Sequence, residues 1–309
     1  MSNDPASGGF PPMSRRTLRD EGLQHAFDRD GFVTTPLLDK AEAEALRTAM
    51  AQLRPEDGFA PEGRWHRISY HCSFLDRSRD YRRRAFELGV AALGGAVERL
   101  LSGFSIIQAN FYVKPAGRGH FGLHQNWPLL TSLDDVSVTI WCPLVDLTEE
   151  NGPLALVPGS HKLLPHVQGP DTRAYLDGLE PELVASGLVR TMRLEAGQGC
   201  IFDDSLIHGS AQNLSTAPRP AVQLICAPAD ATPVYYRNAG DGLFEMIEAQ
   251  PEFWLSHDVE DLCTRPAHWT SLGFVRSRNR QVDMAELKRL LASGDAGRRA
   301  GHPLEGLAP

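Results

Sequence analysis

The sequence predicts a mainly β protein carrying an α-helical flank, a barrel or jelly roll, and three observations lead there. The first third has apolar residues at helical spacing. From about residue 104 the texture changes to short strand-like runs. Turn signals separate those runs, among them an Asn151-Gly152 pair of the kind that closes hairpins.

Residues 17–29, 40–53 and 78–101 repeat apolar side chains every three or four positions, as in Leu46, Met50 and Leu53, and predict helices. Between the first two, Gly31-Phe32-Val33-Thr34-Thr35 reads as a short strand. Asp39-x-x-Glu42 then supplies a helix start with an acidic first turn, which the helix dipole favours. Phe104–Val113 is rich in β-formers and runs into the turn cluster Lys114-Pro115-Ala116-Gly117. Val136–Leu144, Leu154–Val157, Val189–Leu194, Gly199–Phe202 and Ala221–Ala227 are further strands, and residues 170–187 interrupt them with a helical, acidic insert placed to act as a lid. After about residue 235, aromatic segments precede an amphipathic helix near 283–293. These boundaries give a disordered tail (1–16) and one domain (17–309). The domain divides into a helical flank (17–103), a jelly-roll core (104–230) and a C-terminal extension (231–309).

The chain of 309 residues can bury a large core, and 42% hydrophobic with 23% charged residues is ordinary for a globular protein. A net charge of -8 argues against a nucleic-acid surface. The one basic cluster, Arg82-Arg83-Arg84, reads as a solvated helix face beside Asp80 and Glu87. No apolar run approaches the roughly 18 residues that span a membrane, and Met1–Arg16 has no signal-peptide core. Five scattered cysteines without a Cys-x-x-Cys pair suit reduced thiols, which points to a cytoplasmic protein.

Chemistry concentrates in two stretches. On a strand, His124 and Asn126 would project from one face, and Ile207-His208-Gly209 brings a second histidine to a strand end. Arg219 opens the next strand. Non-haem Fe(II) oxygenases hold the metal with two histidines and a carboxylate, and a carboxylic-acid cosubstrate needs a cation, for which the forked Arg side chain is suited. A lone His124 or His208 would read as a core residue; the two together with Arg219 read as a prepared metal site. His161, in a Pro-Gly-Ser-His turn, reads as structural, His166 as a surface residue, and Asp203 and Asp204 as turn residues or supports for a ligating histidine.

The run His124-Gln125-Asn126-Trp127, then Trp141-x-Pro143-Leu144, Asn151-Gly152-x-Leu154-x-x-Val157-Pro158-Gly159-Ser160-His161, and His208-Gly209-Ser210 with Arg219 resemble the phytanoyl-CoA dioxygenase family, as does Gly31-Phe32-Val33. The resemblance covers roughly residues 20–230. It implies a double-stranded β-helix, Fe(II), and 2-oxoglutarate split to succinate and carbon dioxide while a C–H bond is oxidised. By position it implies His124 and His208 as iron ligands and Arg219 with Ser210 as the grip on the far carboxylate. Trp141 and Gln125 would line the same pocket, with Asn110 or Lys114 contributing from the preceding strand.

At position 126 the family's pattern has Asp, and this chain has Asn, nearly isosteric but neutral. Asn126 could ligate through its amide oxygen in an active enzyme. It could also be a deliberate inactivating change, mark a catalytically silent small-molecule binder, or accompany altered chemistry such as halogenation. Asp134 and Asp135, in a predicted loop, lie too far along to replace it. Retention of Arg219, Ser210 and Trp141 weighs toward an enzyme. The expected activity is hydroxylation of a small metabolite or natural product, because the negative net charge gives no reason to expect a coenzyme A thioester. Candidate substrate contacts are Tyr112, His120 and Trp127, with Tyr235 and Tyr236 placed to close the mouth.

Overall fold

The computed structural model describes residues 15–61, 68–132, 135, 137–163, 167–169, 176, 178–277, 279, 282–293 and 304–306. The predicted tail up to residue 14, residues 170–175 of the insert, Asp134 and His166 lie outside them.

The flank forms α1 (Glu21–Asp30), α2 (Lys40–Gln52) and α3 (Arg79–Leu100). Each start has its cap: Asp20 accepts from the Leu23 N–H, Asp39 and Glu42 make a reciprocal capping box, and Ser78 accepts from Tyr81. α1 stops at Gly31, whose φ of 81° is open to glycine at little cost. A Cβ there would lie 2.4 Å from His161 Nδ1, so the Gly-Phe opening and the Pro-Gly-Ser-His turn are two sides of one contact. The basic cluster divides. Arg83 and Arg84 pair with Glu252 and Asp80, but Arg82 is buried, donating to the carbonyls of Asp76 and Leu255. On a helix, adjacent residues lie about 100° apart, so three in a row cannot all face water.

Strands β1 (Phe32–Pro36), β8 (Gln198–Asp203), β5 (Val138–Pro143), β10 (Arg219–Pro228), β3 (Phe104–Lys114) and β2 (His71–Cys72) form a six-stranded sheet in that order, antiparallel throughout. Its edge strands come from the flank, so the barrel does not begin at residue 104 as the sequence suggested. A second, four-stranded sheet orders β4 (Phe121–His124), β9 (His208–Ser210), β6 (Leu154–Leu156) and β7 (Arg190–Thr191). β7 is shorter than the predicted 189–194 strand.

Period-two alternation decides what faces what. Ala109, Phe111 and Val113 of β3, Ile140 and Cys142 of β5, and Val222 and Leu224 of β10 pack with Phe27, Leu46, Tyr81 and Leu93 of the helices. The intervening positions, Asn110, Tyr112, Lys114, Trp141, Arg219 and Gln223, line the cavities between the two sheets. Hydrophobic faces are thus spent on the helices, and polar ones are held in the barrel.

The C-terminal extension holds a third antiparallel sheet, β11 (Val234–Gly240), β12 (Leu243–Glu248), β13 (Ser271–Ser277) and β14 (Leu304–Gly306), with helices α5 (Pro251–Ser256) and α6 (Val259–Thr264). Tyr235, Phe253, Trp254 and Trp269 pack there against Ile107 and Ile225 of the main sheet. Within the predicted insert, only α4 (Glu180–Ala185) is helical among the described residues. Leu183 of α4 and Leu287 of α7 (Met284–Ser293) pack on Leu123 and Ile207. Those two alternate with His124 and His208, so α4 covers the outer face of the smaller sheet and is not a lid over the barrel mouth.

Candidate active site

β4 and β9 pair with His124 opposite His208, and their ring centroids lie 4.3 Å apart. In each ring Nδ1 lies 2.8 Å from the carbonyl two residues earlier, Gly122 for His124 and Leu206 for His208. A carbonyl only accepts, so Nδ1 carries the proton in both rings and Nε2 keeps its lone pair. Burial lowers the pKa of both histidines, opposed at His124 by hydrogen bonds that the ring donates to the Gly122 carbonyl and the Asn126 side chain. The proximity of His124 depresses His208 further. Two neutral imidazoles with the same free nitrogen are what a metal requires.

Asn126 lies just past the end of β4 rather than on it, because its backbone N–H leaves the ladder to bond the Asp204 carbonyl at 2.9 Å. Its side chain still returns to the cavities lined by His124 and His208. The Nδ2 group donates to Asp204 Oδ1 at 2.8 Å and to Thr139 Oγ1 at 3.1 Å. Thr139 in turn donates to the same Asp204 oxygen at 2.6 Å. Burial pushes the Asp204 carboxyl up to about 6, against the pull of hydrogen bonds from neighbouring hydroxyls and the Asn126 amide.

Behind the histidines, Arg219, Lys114, Ser210, Trp141 and Tyr112 share one cavity. Arg219 is 2% exposed, and its Nε and Nη1 have no hydrogen-bond partner. Its guanidinium lies over the Trp141 ring, 5.3 Å from the centroid. Burial lowers its pKa to about 9. Lys114 donates to the Ser210 carbonyl at 2.8 Å and also to Ala211; burial, with Arg219 nearby, lowers it to about 6. A buried guanidinium beside a buried amine that an arriving anion would recharge, with no carboxylate in the cavity lining, makes a receptor for an anion.

A larger cleft of about 900 Å³, open to solvent, adjoins His124 and Asn126 on the other side. Tyr112 and Trp127 line it, together with Asn110, which faces this cleft and not the Arg219 cavity. Four other residues fall elsewhere. Gln125 points away, donating to the Ser205 carbonyl at 2.6 Å, as a residue between two inward-facing neighbours must. His120 is exposed and sits 3.3 Å from Glu180. Tyr235 is 2% exposed in the C-terminal aromatic cluster and donates to the Leu262 carbonyl, and Tyr236 donates to Leu130; neither closes the mouth. The sequence reading missed Tyr70, Phe121 and Gln223, which line both cavities, and Thr139. Gln223 and Thr139 were findable, since each lies at an even offset along its strand from Arg219 or Trp141.

Comparison with known proteins agrees with this architecture. The family model for phytanoyl-CoA dioxygenase matches residues 27–221, more than half of the chain. An ectoine dioxygenase of Halomonas elongata is 28% identical over 223 residues, 62% of this chain and 65% of that protein, just under two thirds of its length. Phytanoyl-CoA dioxygenase 1 of Oryza sativa subsp. japonica is 26% identical over 259 residues, covering 70% of this chain and 90% of its own. Among solved structures, the non-haem α-ketoglutarate-dependent carbocyclase SnoK from nogalamycin biosynthesis superimposes with a TM-score of 0.52 at 20% identity. That superposition covers 69% of this chain and 86% of SnoK, a likeness of fold. The chain belongs to the phytanoyl-CoA dioxygenase family.

Proposed function

We propose that the chain is an oxygenase that uses Fe(II) and 2-oxoglutarate to oxidise a small, largely apolar organic molecule. The single observation that carries this is Arg219, a buried guanidinium with two unpaired nitrogens in the cavity that also holds His208. Leaving such a charge unsatisfied is costly unless an anion arrives to meet it.

The donor set fits the metal. Nε2 of His124, Nε2 of His208 and the Asn126 amide oxygen would hold ferrous iron, two imidazoles and one oxygen donor. Bound iron with 2-oxoglutarate and O2 would supply the oxidising chemistry: O2 is the oxidant, one of its oxygen atoms entering succinate as carbon dioxide leaves and the other oxidising a C–H bond of the substrate. Arg219 binds the far carboxylate of 2-oxoglutarate through its fork, Lys114 adds charge beside it, and Trp141 fixes the guanidinium plane. Ser210, which lines the same cavity as Arg219 and Lys114, offers a hydroxyl to the same carboxylate. Phe121 stacks on His124 with centroids 4.3 Å apart and keeps water from that side of the ring.

The cleft on the far side of His124 and Asn126 supports the substrate class. Phe74, Tyr112, Trp127 and Ile225 give it apolar walls, and the amides of Gln108 and Asn110 offer hydrogen bonds to oxygen functions on the substrate. Cys72, Cys142, Cys200 and Cys226 are buried free thiols, which suits a reducing, cytoplasmic setting. Among the described residues no helix is long and apolar enough to cross a membrane.

The test is a thermal-shift titration with 2-oxoglutarate, with and without Mn(II), on the parent chain and Arg219→Leu. Stabilisation of the parent that needs the metal and disappears in the variant is expected. No response in the parent, or an equal response in the variant, overturns the proposal.

A further inference from the structure

The amide at position 126 is held by a carboxylate 78 residues further along the chain. Both hydrogens of the Asn126 Nδ2 group are committed. One goes to Asp204 Oδ1 at 2.8 Å and the other to Thr139 Oγ1 at 3.1 Å. The assignment of nitrogen and oxygen is not free, because Thr139 uses its only hydroxyl proton on Asp204, at 2.6 Å. An ionised carboxylate cannot donate, and a hydroxyl whose proton is spent can only accept. The group facing them must therefore be the NH2, and the amide oxygen is turned to the opposite side, toward His124. A hydrogen bond from the His124 ring to the Asn126 side chain, which only the amide oxygen can accept, favours the charged form of that ring. A second tie fixes the backbone, the Asn126 N–H donating to the Asp204 carbonyl at 2.9 Å.

We propose that Asp204 is the positioning residue of the metal site: it holds the Asn126 amide with its oxygen toward the two histidines and supplies the negative charge that residue 126 lacks. The inference rests on the metal-site reading above. An amide that donates to a carboxylate is polarised, which moves electron density onto its oxygen and makes it a better donor to a hard cation. Asp204 is 4% exposed, so its charge acts through little intervening water. The usual one carboxylate per two histidines is thus retained, displaced by one hydrogen bond. The neutral residue at 126 is then a relocation of charge and not a loss of the site.

The experiment is a Co(II) titration of the metal-free full chain, by calorimetry and visible absorption, on the parent, Asp204→Asn, and the swap N126D/D204N. Circular dichroism and thermal unfolding accompany each. The swap reverses the pair, with a carboxylate at 126 accepting from an amide at 204 at equal volume. The parent should bind Co(II) at one site. Asp204→Asn should bind at least about tenfold more weakly while folded, the loss typical of a residue that supports a metal ligand. The swap should recover to within a few-fold of the parent.

Equal Co(II) affinity in folded Asp204→Asn overturns the role of Asp204 and leaves the metal site standing. No Co(II) binding by the parent overturns the site reading and this inference together. If Asp204→Asn does not fold, the swap decides. Renewed folding and Co(II) binding in the swap support the pairing, because only the partner's restored complementarity distinguishes the two. A swap that stays unfolded or does not bind overturns it.

Discussion

The rings of His124 and His208 lie 4.3 Å apart, and each directs Nδ1 at the carbonyl two residues earlier in its own chain, 2.8 Å away in both cases. The repeated geometry fixes one tautomer in both rings, so the pair presents two Nε2 lone pairs without any rearrangement. His208→Ala should therefore lower Co(II) affinity beyond the roughly 10–100-fold that supporting residues cost. The substitution should leave the circular dichroism spectrum unchanged. Unaltered affinity in a calorimetric titration would remove His208 from the metal site.

Arg219 makes a prediction of opposite signs for stability and binding. It is 2% exposed with two unpaired nitrogens, so an apolar replacement relieves an uncompensated buried charge. Arg219→Leu should be more stable than the parent without ligand, by on the order of 1–4 kcal/mol. It should gain nothing from 2-oxoglutarate. Urea denaturation with and without the cosubstrate reads both effects, and a destabilised variant that still responds would contradict the assignment.

Lys114 links cosubstrate binding to pH. Burial and Arg219 lower its pKa to about 6, so it is mostly neutral at pH 7.5 in the ligand-free protein. A bound carboxylate favours the charged form and raises that value. Above pH 6, and up to the raised value, binding takes up a proton, and affinity for 2-oxoglutarate should fall as pH increases, by up to about tenfold per unit. Below pH 6 the dependence from this group should flatten. Calorimetry in buffers of different ionisation heat should show the uptake, and Lys114→Met should abolish it.

Gly31 is a structural test away from the chemistry. Its φ of 81° and the 2.4 Å approach of a Cβ to His161 Nδ1 leave no room for a side chain. Gly31→Ala should cost about 2 kcal/mol or more in urea denaturation, from the left-handed backbone and the displaced ring together. A change within about 0.5 kcal/mol, the range of ordinary surface substitutions, would show that the turn yields freely.

The site residues that were legible in the sequence are those whose roles follow from local pattern. His124, His208 and Arg219 sit at strand ends beside turn signals, and strand alternation puts Lys114, Tyr112 and Trp141 on the inner face with them. The same alternation argues against Gln125, between two inward-facing neighbours. Asp204 was read only as a turn or supporting residue, because its partnership with Asn126 spans 78 positions and no local pattern encodes it. The third sheet went unread although Asp241-Gly242 marks its first hairpin, since aromatic residues in β11 and α5 resemble loose packing segments until their shared cluster is visible. The helical flank was legible from its caps and spacing. Its two strands were not placed in the sheet, because edge pairing depends on partners far along the chain.

The most direct measurement is an anaerobic titration of the metal-free protein with Fe(II) and 2-oxoglutarate, followed by visible absorption, beside Arg219→Leu and the swap of residues 126 and 204. A charge-transfer band is expected in the parent at one equivalent of iron, dependent on both components, absent in Arg219→Leu and present in the swap. A parent that shows no band while the swap does would mean that Asn126 with Asp204 cannot hold ferrous iron for the cosubstrate. That result would contradict the assignment of this chain as a working oxygenase.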